Sequence, residues 1–117
     1  MKRYTRFFEN DVWQNLRNKY KKLNIVLDIY EGNNKSILSM IKIPKELRNQ
    51  GYAKQAMIEI CNIADKNNLT VTLTPTNEFG SNKSKLINFY KKFGFIENKG
   101  KNKNYQINYS MFRLPNN

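Results

Sequence analysis

The feature that most constrains the fold is an apolar strand followed by a loop, a helix and a second strand. The run from Ser36 to Ile43 is almost wholly apolar, as expected of a strand buried on both faces. A helical pattern extends to Lys66, and Leu69, Val71 and Leu73 then alternate with threonines. This order predicts a βαβ unit with two parallel strands and a right-handed connection.

The remaining elements are predicted from hydrophobic periodicity and turn residues. Ile25, Leu27 and Ile29 alternate with Val26, Asp28 and Tyr30, which predicts an antiparallel hairpin with the Ser36 strand. Gly94 is a natural C-cap for the helix before it. The other predicted elements are a strand at Arg3 to Phe8, helices at Glu9 to Lys22 and Ser84 to Phe93, and strands at Phe95 to Ile96 and Tyr105 to Leu114.

Length and charge limit the function classes. A chain of 117 residues has room for one domain, 1–117, and one core. Lys and Arg outnumber Asp and Glu by 21 to 9, and the net charge of +12 favours an anionic partner such as a phosphorylated cofactor, nucleic acid or an acidic surface. A solvated lysine surface without function is the alternative explanation.

Residue types that are missing exclude several chemistries. The sequence has no histidine, which rules out a Ser-His-Asp triad, a Cys-His dyad and His-ligated zinc. Cys61 is the only cysteine, and its place on the apolar side of the predicted helix indicates an inert packing residue. With no signal-peptide pattern and no membrane-length apolar run, a cytoplasmic protein is expected.

A candidate anion site lies between the first parallel strand and its helix, in Arg48-Asn49-Gln50-Gly51-Tyr52-Ala53. A glycine at a helix start lets main-chain N–H groups approach an anion, and the helix dipole adds partial positive charge. Arg48 and Lys54 bring full charges to the same place. An ordinary turn is the alternative. The three-glycine dinucleotide fingerprint and the Gly-Lys-Ser/Thr of a nucleotide-triphosphate loop are both missing.

A second motif is an aromatic helix end, Phe89-Tyr90-Lys91-Lys92-Phe93-Gly94-Phe95. Together the two motifs resemble the GCN5-related N-acetyltransferases (GNAT), whose acetyl-CoA loop reads Arg/Gln-x-x-Gly-x-Gly/Ala and whose later helix ends in aromatic-Tyr-x-x-x-Gly-Phe. The resemblance covers Ser36 to Met111. The run from Ile43 to Lys103 is especially similar to small acetyltransferases of bacteriophages and prophages.

The resemblance implies an α/β (α+β) fold with a mixed, mainly antiparallel sheet, a splayed parallel strand pair and flanking helices. It implies acetyl-CoA as cosubstrate and no metal. Main-chain groups of Ile41 and Ile43 would pair with the acetyl carbonyl and the pantetheine amide. Tyr90 would be the general acid that protonates the departing thiolate. The pyrophosphate would be held by Arg48 and by N–H groups of Gln50, Gly51, Tyr52, Ala53 and Lys54.

The general base is less clear, because histone-type members carry a glutamate on the strand before the loop and Ser36 to Ile43 contains no carboxylate. Glu78 is the first candidate, with Asp28, Glu31 and Glu46 as alternatives that surface or capping roles would also explain. An amine that loses its proton through ordered water, or arrives neutral, would need no such side chain.

The predicted activity is transfer of an acetyl group from acetyl-CoA to a primary amine. The single predicted helix before the hairpin leaves the acceptor side open, which favours a macromolecular acceptor such as a protein lysine or an aminoacyl-tRNA. The alternative is a catalytically silent GNAT-fold module that binds nucleic acid or an acidic protein. Either a monomer or a homodimer is compatible with the sequence, and no membrane partner is expected. Seven lysines form the densest basic region and are candidates for nucleic-acid contact: Lys83, Lys85, Lys91, Lys92, Lys99, Lys101 and Lys103.

Overall fold

The computed structural model describes residues 11–32, 35–76 and 82–116. The helices are α1 (Gln14–Lys21), α2 (Tyr52–Lys66) and α3 (Lys83–Lys91), and the strands are β1 (Val26–Glu31), β2 (Ser36–Lys42), β3 (Val71–Leu73), β4 (Ile96–Glu97) and β5 (Met111–Arg113). The predicted strand at Arg3 to Phe8, the start of the predicted first helix and Glu78 lie outside the described residues.

The five strands form one sheet in the order β1-β2-β3-β5-β4. Strands β2 and β3 are parallel and are joined by α2, whereas the other three neighbouring pairs are antiparallel. The predicted mixed, mainly antiparallel sheet with a βαβ unit at its centre is therefore confirmed.

The core lies between one face of the sheet and the helices α1 and α2. Leu27 and Ile29 of β1 are buried, while Val26 and Tyr30 face outward, as their alternation predicts. From α1 and the residue before it, Trp13, Leu16 and Tyr20 are buried. The indole of Trp13 donates from Nε1 to Ser36 Oγ at 2.8 Å, which fixes α1 over the start of β2. Helix α2 contributes Ala56, Met57, Ile60, Cys61 and Ala64.

Strand β2 differs from the prediction that both its faces are buried. Ser36 and Leu38 are buried, but Ser39 is exposed and Met40 and Ile41 are only half-buried. The reason is that β3 is short, so that β2 extends beyond the end of its parallel neighbour. The apolar run there lines an opening in the sheet.

The predicted strand from Tyr105 to Leu114 is also wrong over most of its length, because only Met111–Arg113 pair with other strands. In the part of the predicted strand before Met111, main-chain groups bind the side chain of Asn98 instead of another strand. Its Nδ2 donates to the carbonyls of Ile107 at 2.9 Å and Tyr109 at 3.0 Å, and its Oδ1 accepts from Asn104 N at 2.7 Å. Residues 98–110 are therefore a structured loop between β4 and β5.

The far end of α2 is joined to β5 by an ion pair whose arginine is buried and whose aspartate is partly exposed. Arg113 donates from Nη1 and Nη2 to the two carboxylate oxygens of Asp65, at 2.8 and 3.0 Å. Its Nε donates to the carbonyl of Phe93 at 2.8 Å, and Asp65 also accepts from Asn116 N at 2.8 Å. One guanidinium thus connects α2, the turn after α3 and the end of the sheet.

Candidate functional site

The candidate site is a cleft where the parallel strands β2 and β3 separate. The two strands pair only from Ser36 opposite Val71 to Leu38 opposite Leu73, and β2 then continues alone to Lys42. The cleft has a volume of about 90 Å³ and is lined by Leu38, Ser39, Met40, Ile41, Leu73, Thr74, Pro75, Thr76, Leu86 and Tyr90.

Hydrogen bonding near the start of β2 fixes which main-chain groups face which neighbour. Ser36 N donates to Thr70 O at 2.8 Å, so the main chain of Ser36 faces β3. Because main-chain groups alternate along a strand, Ile37 faces the other way, towards its partner Tyr30 on β1. Without a further irregularity, the even-numbered residues of β2 would face the cleft.

A β-bulge reverses this alternation. The register between β1 and β2 shifts between Asp28 and Ile29, so that Ser39 is an extra residue on β2 and Met40 lies opposite Asp28. Met40 therefore turns its main chain to β1, and Ile41 turns its main chain to the cleft. The bulge presents the N–H and C=O of the predicted contact Ile41 to the open edge.

The predicted anion loop follows directly, and its backbone contains two left-handed residues, Asn49 with φ 62° and Gly51 with φ 87°. Helix α2 begins at Tyr52, and no side chain caps its start. The first helical hydrogen bond runs from Gln55 N to Gly51 O at 3.0 Å. The N–H groups of the first helical turn, on Tyr52, Ala53 and Lys54, therefore have no acceptor within the helix.

Two side chains of this loop, Arg48 and Gln50, are exposed. Both donate hydrogen bonds to main-chain carbonyls of the same loop. Arg48 donates from Nε to the carbonyl of Ile43 at 3.0 Å, and Gln50 donates from Nε2 to the carbonyl of Glu46 at 2.9 Å. The Ile43 carbonyl is thus engaged inside the loop. The terminal N–H groups of Arg48 make no hydrogen bond to another residue of the described ranges and are available to an anion.

Tyr90 enters the cleft from helix α3, on the side facing β2 and β3. Its ring packs edge-on against Phe89 and Phe95, with centroids 5.4 and 5.9 Å away. Burial raises the pKa of the Tyr90 phenol above its ordinary value of 10.0. The hydroxyl is therefore protonated at neutral pH and can donate a proton in the cleft.

No carboxylate is present among the described residues that line the cleft. Glu78, the first candidate for the base, lies outside the described part of the chain, although Thr76 leads towards it. The alternatives lie elsewhere: Asp28 is exposed on β1, Glu31 accepts from Val12 N at 3.5 Å, and Glu46 is exposed in a short 3-10 helix. Within the same described ranges, no cluster of acidic or cysteine side chains could hold a metal ion.

Cys61 is buried on α2, as its position in the sequence predicts. Burial raises the pKa of its thiol, with a further rise from Asp65 and an opposing effect of Arg113. A neutral, buried thiol is a poor nucleophile, so Cys61 belongs to the packing of the helix.

Sequence reasoning did not identify Ser39 or Thr74 as parts of the site. Ser39 provides the bulge, and its only signal is a polar residue inside an apolar run. Thr74 lines the opposite wall, and its Oγ1 accepts from Ser110 N at 3.2 Å. No local pattern predicts that contact between residues far apart in the chain.

The helices of the described residues include none that is long and apolar enough to cross a membrane.

Comparisons with known proteins agree with this architecture. No protein-family model and no curated protein matches the sequence. Among solved structures, the chain is similar to a protein assigned to the GNAT family of acetyltransferases from Bacteroides thetaiotaomicron, with a TM-score of 0.56 and 17% identity over 80% of this chain and 56% of that one. A second similar structure is a mutant of the toxin AtaT bound to acetyl-CoA and to the C-terminus of the antitoxin AtaR, with a TM-score of 0.43 and 22% identity over 77% of this chain and 55% of that one. The chain thus spans a little over half the length of these structures. Its fold is that of the GNAT acetyltransferases.

Proposed function

We propose that this chain is an acetyl-CoA-dependent N-acetyltransferase that acts on a primary amine. The observation that carries the proposal is the cleft between β2 and β3, which combines an open strand edge at Ile41 with the hydroxyl of Tyr90. At about 90 Å³ it is far smaller than the roughly 300 Å³ at which pockets for whole small molecules begin. Such a cleft suits the thioester end of a long ligand, whose remainder lies outside.

The start of α2 supplies a site for the pyrophosphate of acetyl-CoA. Three helix-start N–H groups lack an intrahelical acceptor, and the helix dipole adds about half a positive charge. Arg48 and Lys54 contribute full charges beside them. The loop that carries these groups follows β2 directly, so one continuous segment would bind the ligand from Ile41 to Lys54.

Acetyl-CoA supplies the acetyl group as a thioester, whose C–S bond breaks as the amine forms a new C–N bond. The Ile41 main chain would pair with the acyl end, as an added strand pairs with an open edge. Tyr90 would donate its proton to the thiolate, because a phenol is protonated at neutral pH at its ordinary pKa of about 10 and remains so when burial raises that pKa. Holding the thioester beside this acid would supply much of the rate enhancement through proximity.

The proton of the acceptor amine must also be removed. We assign this step to Glu78, whose carboxylate follows Thr76 by two residues in the sequence. Transfer through water, or arrival of a neutral amine, is the alternative if Glu78→Gln leaves the rate unchanged.

The acceptor that we propose is macromolecular, a protein lysine or an aminoacyl-tRNA. The net charge of +12 repels a small polycation such as a polyamine but attracts RNA and acidic protein surfaces. We place this activity in the cytoplasm, where acetyl-CoA and both acceptor types are present.

Binding is tested by calorimetry with acetyl-CoA, CoA and acetyl-pantetheine, which lacks the pyrophosphate. We expect acetyl-CoA and CoA to bind, and acetyl-pantetheine to bind far more weakly, because it cannot reach the start of α2. Arg48→Gln should lower the affinity for acetyl-CoA but leave the affinity for acetyl-pantetheine unchanged. Absence of acetyl-CoA binding would overturn the proposed function.

The role of Tyr90 is tested with Tyr90→Phe, which retains the ring and loses the acidic proton. Turnover should fall by about 10² to 10⁴, the usual contribution of a general acid, with acetyl-CoA affinity unchanged. The matched control is Tyr30→Phe, on the outward face of β1, which should behave as wild type. Equal turnover of the Tyr90→Phe and wild-type proteins would remove Tyr90 from the mechanism.

The acceptor is identified by treating a cell lysate with the protein and isotope-labelled acetyl-CoA, followed by mass spectrometry of proteins and of RNA. We expect label on an amine of one class of macromolecule, at a level that Tyr90→Phe greatly reduces. If acetyl-CoA binds and yet no amine is labelled, the chain is a GNAT-fold binding module.

A further inference from the structure

The loop between β4 and β5, residues 98–110, has an unusual composition. It contains Lys99, Lys101 and Lys103, four asparagines and a glutamine, and no acidic residue. Glu97 just before it pairs with Lys99 at 3.2 Å and with Lys91 at 3.0 Å. Within the described part of the chain, the loop therefore presents positive charge that its own side chains do not compensate.

This lysine loop is held in a defined shape. Asn98 is buried and binds main-chain groups on both sides of Tyr105, at Asn104 and at Ile107. The side chain of Ile107 is buried, and Ile107 N donates to Asn104 O at 3.1 Å. The backbone that carries Tyr105 is thus fixed from both directions.

Tyr105 nevertheless points into solvent, with 86% of its surface exposed. The next most exposed aromatic side chain among the described residues is Tyr30, at 38%. Lys103 Nζ lies 5.6 Å from the centre of the Tyr105 ring, which places a cation beside the exposed aromatic face. A fixed backbone that holds a large ring in water beside lysines provides a preorganised surface for stacking.

We propose that the lysine loop binds single-stranded nucleic acid, with Tyr105 stacking on a base and Lys101 and Lys103 contacting phosphates. Exposed aromatic rings and lysines are the combination by which proteins bind single strands without strong sequence preference. An acidic protein would be recognised better by arginine, which pairs with carboxylates in a bidentate manner, and the loop contains none. It would also leave the ring of Tyr105 without a partner.

The loop lies next to the cleft, because its last residue, Ser110, donates from N to Thr74 Oγ1 on the cleft wall. The binding surface is nevertheless independent of acetyl transfer, since Tyr105, Lys101 and Lys103 do not line the cleft.

The test is fluorescence anisotropy of the full chain with labelled oligouridylate and oligothymidylate, and with labelled polyglutamate for comparison. We expect both oligonucleotides to bind more tightly than polyglutamate. The oligonucleotide with the higher affinity indicates whether the loop prefers RNA or DNA. Tyr105→Ala should weaken oligonucleotide binding by about ten-fold, and Tyr105→Phe, which retains the ring, by much less. Because Tyr105 is exposed, both variants should fold as wild type, which circular dichroism verifies.

The charge contribution is tested with a double variant, Lys101→Gln with Lys103→Gln. Removing two phosphate contacts should reduce the slope of log affinity against log salt by about 1.4. The matched control is Lys21→Gln with Lys22→Gln, which removes the same charge from the exposed end of α1 and should leave the slope almost unchanged. The proposal is overturned if neither oligonucleotide binds, if Tyr105→Ala binds like wild type, if the control pair has the same effect as the loop pair, or if polyglutamate binds as tightly.

Discussion

The two ends of helix α2 are built in opposite ways. At its start, Gly51 adopts a left-handed conformation, no side chain caps the helix, and Arg48 and Gln50 are exposed. At its other end, Asp65 is bound by the Arg113 guanidinium and by Asn116 N. One end presents main-chain N–H groups that have no acceptor in the helix, whereas at the other end the Asp65 carboxylate is bound within the chain.

This difference indicates which end serves the ligand and which end serves stability. Unsatisfied donors at a helix start cost little while water can reach them, and they are available to an anion. A buried guanidinium without its carboxylate would cost several kcal/mol. Substitutions at the two ends should therefore separate loss of binding from loss of folding.

The largest effect on stability is expected from Arg113→Met, which retains much of the side-chain volume and removes the charge. Asp65 would lose both guanidinium donors and retain only Asn116 N, the Phe93 carbonyl would lose its Nε donor, and the free energy of unfolding should fall by about 2 kcal/mol. Urea denaturation measures this change. Lys66→Met, on an exposed lysine at the same helix end, is the control and should change stability little. Equal stabilities of the two variants would contradict the assignment of this end to folding.

The same ion pair predicts how stability depends on pH. Hydrogen bonds from Arg113 lower the pKa of Asp65 below its ordinary 3.8, burial opposes this, and Asn116 N adds to the lowering. The stabilisation is therefore complete above about pH 4, the unfolded pKa, and is lost as the pH falls through the lower folded pKa. The difference in unfolding free energy between wild type and Asp65→Asn should be constant near neutral pH and shrink in acid. A difference that grows in acid would contradict this sign.

The smallest stability effect, and the sharpest test of the open end, comes from Gly51→Ala. An added Cβ meets nothing within 4 Å, but φ of 87° strains any other residue, and stability should fall by about 1 kcal/mol. Gly100→Ala is a matched control, since Gly100 also has positive φ, 60°, and open space around it. Both variants should lose similar stability, but only Gly51→Ala should weaken acetyl-CoA binding in calorimetry. If Gly51→Ala and Gly100→Ala bind acetyl-CoA with equal affinity, Gly51 is not part of the pyrophosphate site.

The sequence predicts those parts of the molecule that depend on local pattern. The βαβ unit, the hairpin and the outward face of β1 follow from periodicity, and the cleft position of Tyr90 agrees with the motif around it. The segment from Tyr105 to Tyr109 alternates like a strand, but its Ile107 and Tyr109 carbonyls are bound by the Asn98 side chain instead. One buried side-chain amide outweighs that pattern, because its partners lie 6 to 11 residues away and leave no periodic signal.

The extra residue in β2 has a consequence for how such a cleft could arise. Ser39 has no opposite residue on β1, whereas Leu38 and Met40 on either side retain their partners. Its deletion would keep every existing pair with β1 and would remove the bend. A single extra amino acid can therefore redirect one strand at the cleft while every pair that joins this strand to β1 is kept.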